Sequence, residues 1–185
     1  METTMKIILI LITCYFSFAS AQLKYNRKDF GGWIDADKDK INTRHEVLIE
    51  ENLTPLMLRM TENGKRVLYG KWVCFFSGDT ILKASKLDVD HVVPLKEAFV
   101  SGAADWPKKK KKQYANYLKD PSHLIAVKAS ENRRKGARDP CKYMPPINKC
   151  AYLDIWIKIK TDWDLIFDDK EFKCIIDLRK KHCVE

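Results

Sequence analysis

The run Leu87-Asp-Val-Asp-His-Val-Val-Pro-Leu95 constrains this chain more than any other stretch. Val89, Val92 and Val93 are β-branched and suit a buried strand, yet Asp88, Asp90 and His91 interrupt them with groups that are costly to bury unpaired. A fold that holds this segment must bring partners to three polar side chains or build a site on them. Asp88 and Asp90 are two apart and share one face of a regular strand, while His91 points the other way. Asp90 and His91 can serve one site only if the strand ends or bends between them, and Pro94 soon afterwards favours such a break.

Flanking patterns supply the neighbours. Asn42 or Thr43 caps a helix with Glu46 in its first turn, running to about Arg59. Residues 66–76 alternate as a strand, Ser77-Gly78-Asp79 turns, and the Leu87 strand follows. A short helix begins at Pro94 and stops at Ser101-Gly102, and a second spans about Pro107 to Leu118. Residues 124–129 form another strand, after which Ser130 caps a helix carrying Asn132. Two helices, about Asn148 to Lys160 and Asp168 to His182, close the chain, with Trp156 and Trp163 as core residues. Asn132 and Lys135, three apart, lie on one side of their helix. A carboxylate, an imidazole, a carboxamide and an ammonium can thus converge on one small volume.

The chain opens with Lys6, an apolar run from Ile7 to about Phe18, and Ala19-Ser20-Ala21, the pattern of a cleaved secretory leader. Residues 1–21 are read as the signal peptide and 22–185 as one secreted domain, with the motif core at about 85–140. No later run approaches the roughly 20 apolar residues that span a bilayer, so no membrane partner is expected. Loss of Glu2 and Lys6 leaves the formal net charge at +9, which favours a polyanionic partner. Five cysteines follow the leader, in a setting where bridges persist; one must be free or paired between chains. Four lie in the C-terminal third, where bridges are expected. No C-x-x-C pair is present, which argues against a structural zinc clip.

The motif D-V-D-H-V-V-P (88–94), followed by S-H-L-I-A-V-K-A-S-E-N-R-R-K-G (122–136), resembles that of the HNH, or ββα-metal, nucleases. The wider frame, from Tyr25-Asn-Arg-Lys-Asp-Phe-Gly-Gly-Trp33 to Trp163-Asp-Leu165, is similar to secreted HNH-family proteins of bacteria and fungi. The resemblance implies an α+β fold: a ββα-metal core of short antiparallel strands and a helix, with a helical insertion and flanking helices, supported by disulfides. It implies that His91 is the general base, that Asp90 and Asn132 hold one divalent cation, and that Lys135 stands near the scissile phosphate. His123 occupies a position that is often Asn in the family and would orient the loop carrying His91. The implied products carry 5′-phosphate and 3′-hydroxyl ends.

The chemistry agrees. An imidazole with a pKa of about 6.5 is largely neutral at neutral pH and can accept a proton from water. One carboxylate and one carboxamide, completed by waters and phosphate oxygens, suit Mg²⁺, with Mn²⁺ as the alternative, better than zinc. The expected partner is nucleic acid, DNA first and RNA second; no obligate protein partner is implied.

Arg133, Arg134 and Arg138 flank Asn132 and are candidates for nucleic-acid contact, as are Lys108, Lys110 and Lys112 in the run 108–112, whose bland reading is a solvated helix face. Asn116 either pins the insertion to the active loop or decorates a helix surface. Asp88 is read as a structural or outer-shell acceptor rather than a ligand. Residues 35–46 set carboxylates at positions one, three, five and twelve of an EF-hand-like loop, but Lys40 stands where glycine belongs, so Ca²⁺ there is a minority reading. The alternative is that Asp37 and Arg44 brace the core. The competing class is a catalytically silent basic binder of nucleic acid or acidic glycans, distinguished by salt-sensitive affinity without cleavage.

Overall fold

The computed structural model describes residues 24–183, so the signal peptide and the cleavage point near Gln22 lie outside the described residues. Among the described residues the architecture is mixed α+β, with two small antiparallel sheets and six α-helices. The first helix, α1, is Thr43–Glu50, capped as the sequence predicts by Asn42, whose side chain accepts from His45 N. It ends nine residues before Arg59 for a physical reason. The Asn52 side chain accepts Lys71 N–H at 2.8 Å and Leu53 N donates to Lys71 O at 2.9 Å, drawing the chain toward a strand. Pro55 then starts a 3₁₀ turn.

Three strands form the first sheet: β1 (Arg59–Met60), β2 (Val67–Val73) and β3 (Thr80–Lys83), in that order. β3 is absent from the sequence reading, because Thr80–Lys83 is short and exposes three of its four side chains, leaving little periodicity to detect. Gly70 sits where a Cβ would come within 2.5 Å of the Trp72 ring, so only glycine lets that indole lie flat and donate to Leu48 O at 2.8 Å.

β4 (Leu87–His91) and β5 (Leu124–Lys128) form a separate antiparallel pair in unbroken register, from Leu87 opposite Lys128 to His91 opposite Leu124. The chain between them holds α2 (Leu95–Val100) and α3 (Lys108–Ala115), the helical insertion. α4 (Ala129–Lys135) follows β5 directly and packs on both strands; its N-cap is Lys128 rather than Ser130, which lies in the first turn. The free edge of β5 is closed by side chains. Ala126 N–H donates to both Glu51 carboxylate oxygens, at 3.0 and 3.1 Å, and Lys128 N–H to Cys74 Sγ at 3.3 Å. Among the described residues, Cys74 is the free cysteine, and it is buried.

α5 (Lys149–Asp162) and α6 (Asp169–His182) complete the molecule, joined to each other and to the preceding loop by Cys141–Cys174 and Cys150–Cys183. Both bridges fall in the C-terminal part. Each spans 33 residues, a loop whose closure removes about 4 kcal/mol of unfolded-state entropy in the chain-entropy model. Trp156 and Trp163 are buried as expected; Trp156 Nε1 donates to Glu171, which also pairs at 2.5 Å with Lys160. Among the described residues, no helix is long and apolar enough to cross a membrane.

Burial lifts the Glu51 carboxyl to about 7 from 4.5, against the opposing pull of the Ala126 N–H. The folded chain therefore holds this proton more tightly than the unfolded chain. The resulting stabilisation is complete below about pH 4.5 and lost as pH rises through about 7, a swing on the order of 3 kcal/mol. Glu51→Gln keeps an acceptor for Ala126. It is expected to raise the thermal midpoint above that of the parent at pH 8 and to match it at pH 4; equal midpoints at pH 8 would show the carboxylate to be solvated.

Candidate active site

The motif residues divide between the two faces of β4. On one face, Asp88 and Asp90 meet α4 as two rungs of a ladder. Asn132 Nδ2 donates to Asp88 Oδ2 at 3.0 Å, and Lys135 Nζ lies 3.0 Å from Asp90 Oδ1 and 2.9 Å from Oδ2. The two-residue strand spacing matches the three-residue helix spacing, so each acidic residue finds a partner. Lys135 is fully buried, and its ammonium also donates to His91 O at 3.0 Å. Burial pushes the Asp90 carboxyl up and the Lys135 amine down, each opposed by attraction to the other.

On the other face lies His91. β4 stays paired through His91, so the strand neither ends nor bends before it, and the expected convergence of all four groups on one volume does not occur. The His91 ring stacks on Trp33 at 5.3 Å and 5°. Its Nε2 lies 2.9 Å from Ala115 O, the last residue of α3. A carbonyl only accepts, so the neutral ring carries its proton on Nε2 and keeps a lone pair on Nδ1. Burial first, and the His123 charge second, push its pKa down to about 3. A cavity of about 70 Å³ adjoins the ring, walled by Arg27, Gly31, Gly32 and Trp33.

His123 takes the adjacent carbonyl, with Nε2 2.8 Å from Tyr114 O, and burial lowers it to about 4. It touches the His91 segment through its main chain: Val92 N–H donates to His123 O at 3.2 Å. Two histidines thus dock on consecutive carbonyls at the C-terminal end of α3. Asn116 caps the same helix and pins the N-terminal segment to it, accepting from Ile34 N at 3.0 Å and donating to Gly32 O at 3.2 Å. Arg44 Nη2 donates to Ala84 O and Leu87 O, tying α1 to the start of β4.

The remaining candidates are dispersed. Lys108 and Lys112 are exposed, Lys110 lies over the Trp106 ring at 4.4 Å, and Lys111 is buried on Ala104 O. Helical geometry spreads the run around α3 rather than along one track. Arg134 pairs with Glu131, Arg138 donates to Arg134 O, and Arg133 is exposed. Asp35, Asp37 and Asp39 hold carboxylate oxygens within 4.8 Å of one another, all exposed. Lys40 adopts φ 78 in place of the glycine, and its N–H donates to Asp35 Oδ2.

A divalent cation fits the donor chemistry of the Asp88 and Asp90 face: hard carboxylate and carboxamide oxygens on adjacent rungs, with Asp90 Oδ2 buried and lacking a hydrogen bond of proper angle. Asp90 and Asn132 would hold it, and the Lys135 ammonium, which now lies against that carboxylate, would have to withdraw. Arg27 and Trp33 are site residues that the sequence reading missed. They lie in the quoted Tyr25–Trp33 frame, about sixty residues before His91, and only folding brings them to it.

Residues 52–178 match the family described as GmrSD restriction endonucleases, C-terminal domain, which bears out the HNH resemblance. A protein of Arthroderma benhamiae described as an uncharacterized secreted protein is 36% identical over 143 residues, 76% of this chain and 67% of that protein. No solved structure matches the chain.

Removing the Lys135 ammonium strands a buried carboxylate. Lys135→Ala is expected to cost about 3–5 kcal/mol of stability in urea unfolding. The double variant Asp90→Asn/Lys135→Met, which removes both charges, should recover most of that loss. A double variant as unstable as the single one would show that packing, not charge, sets the cost.

Proposed function

We propose, because the chain belongs to the GmrSD restriction endonuclease C-terminal domain family, that this nuclease-like protein hydrolyses phosphodiester bonds with His91 as general base. The fold reading that goes with it is a ββα-metal core made of β4, β5 and α4. One observation carries the reading: the His91 Nε2 contact with Ala115 O, which leaves Nδ1 free to accept a proton. Burial keeps the ring neutral, and Trp33 keeps its plane fixed. A phosphate entering beside the ring raises its proton affinity through its negative charge. Lys135 holds the end of β4 through His91 O, and Asn116 holds the wall of the cavity through Gly32 O.

Asp90 and Asn132 would bind Mg²⁺, or Mn²⁺ in its place, which when bound would supply charge stabilisation at a phosphate and lower the pKa of water; since they face α4 and His91 faces α3, a phosphate served by both has to reach around the end of β4. The proposed substrate is DNA, with RNA second, cut with little sequence preference to 5′-phosphate and 3′-hydroxyl ends. Secretion is part of the proposal, supported by the N-terminal leader pattern, the two disulfides and the relative described as secreted. The silent-binder reading also has an observation in its favour: the Lys135 ammonium already compensates Asp90.

Purified protein from Gln22 onward, disulfides formed, is expected to nick supercoiled plasmid with Mg²⁺, and to stop with EDTA or on His91→Ala. Intact plasmid across Mg²⁺, Mn²⁺ and Ca²⁺, from folded protein, would sink the DNase reading. The pH profile gives a second check. The base works unprotonated, and its free-state pKa lies near 3, so kcat/KM should show no acid limb down to about pH 5. An acid limb near 6.5 would mean that the working base is a solvated group other than His91 as it is placed here.

A further inference from the structure

β3 divides two grooves that share Lys83. One, about 480 Å³, is walled by Arg44, Arg66 and Tyr69; the other, about 380 Å³, by Lys86, Lys128 and Arg133. Among the described residues, no carboxylate lines either groove. The charge is segregated, since the cavity at the end of α1 is lined instead by Glu46, Glu50, Glu51 and Asp120. Arg44 is committed to main-chain carbonyls, and Lys128 pairs with Asp79 at 2.7 Å. Arg66, Lys83, Lys86 and Arg133 have no carboxylate partner among the described residues. These four cations come from three separate parts of the chain, Lys83 and Lys86 sharing one, and meet along β3 only through the fold.

The track also carries an aromatic. Tyr69 is 48% exposed and stands directly opposite Lys83 across β2 and β3, so the two side chains are neighbours on the sheet. A ring beside an ammonium is the pairing that binds a base by its face and the adjoining phosphate by its charge. A duplex, whose bases are stacked inward, offers phosphates to the lysines but no base face to Tyr69. The track ends near the start of β4 and the Asp88–Asn132 rung, because Arg133 is the neighbour of Asn132 on α4 and Arg44 grips the first residue of β4.

We infer that the β3 track holds a single-stranded stretch of polynucleotide, with Tyr69 as a stacking platform and Arg66, Lys83, Lys86 and Arg133 on the phosphates. This deepens the nuclease reading and rests on it for the identity of the polymer.

The test is fluorescence anisotropy of the mature protein in EDTA with a short labelled oligonucleotide, single-stranded or annealed, its integrity checked on a gel afterwards. The strand is expected to bind more tightly than the duplex, with log K falling against log[salt] at a slope of about −3 for four phosphate contacts. Lys83→Gln/Lys86→Gln should bring the slope to about −1.5. Tyr69→Ala should weaken strand binding roughly five- to hundredfold, and Tyr69→Phe should restore it. Lys170→Gln/Lys173→Gln on α6 removes the same charge away from the track and should change nothing. Equal affinity for strand and duplex, with Tyr69→Ala unchanged, overturns single-strand recognition; a slope unmoved by Lys83→Gln/Lys86→Gln overturns the track. If the nuclease reading alone fails, the plasmid stays uncut while strand binding still responds to Tyr69→Ala, and the inferred surface stands.

Discussion

The buried Lys135 ammonium is the contact on which the rest of the site depends. It reaches the Asp90 carboxylate and the His91 carbonyl together, and so fixes the end of α4 against the end of β4. An ion pair with no access to water pays its attraction back in desolvation, and contributes little net stability. Its value lies in geometry. Any register of β4 other than the observed one would leave a charge alone in the core, a penalty far larger than one misplaced valine.

From that fixed strand the two chemistries of the motif separate by simple alternation. Carboxylates face α4, and the imidazole faces α3. The insertion between the motif strands therefore has a structural purpose that its lysines obscure. Its last turn offers two unsatisfied carbonyls, which every helix end must place somewhere, and His91 and His123 take them. The Tyr114 ring packs against both imidazoles, with its hydroxyl donating to Val93 O at 2.7 Å, and keeps that arrangement dry.

What the sequence made legible was local. The α2, β5, α5 and α6 segments follow from caps, prolines and periodicity, and so do the shared strand face of Asp88 and Asp90 and the shared helix side of Asn132 and Lys135. What stayed hidden required distant chain. Asp88 as the partner of Asn132, Tyr114 O as the partner of the His123 ring, and Arg27 beside His91 join positions 9 to 64 residues apart. Neither helical nor strand periodicity relates the members of such a pair. The lysine run drew attention because it is contiguous in sequence, whereas the β3 groove is contiguous only in space. β3 itself escaped because an exposed four-residue edge strand carries almost no alternation.

The two disulfides share one offset. Cys141 and Cys150 lie nine positions apart, as do Cys174 and Cys183, and each bond spans the same 33 residues. One link alone, from Cys150 on α5 to Cys183 at the end of α6, would be a pivot; the other ties α6 to the loop before α5 through Cys141. Two links at matched intervals remove that rotation and forbid sliding, so α6 is held to one register as a rail is held by two ties. Glu171, carried on α6, is thereby delivered to Lys160 and, through it, to Glu97 on α2. The covalent frame at the end of the chain thus sets the floor beneath the helical insertion, and Trp163, enclosed by both bridges, carries that constraint to the His123 ring at 5.8 Å.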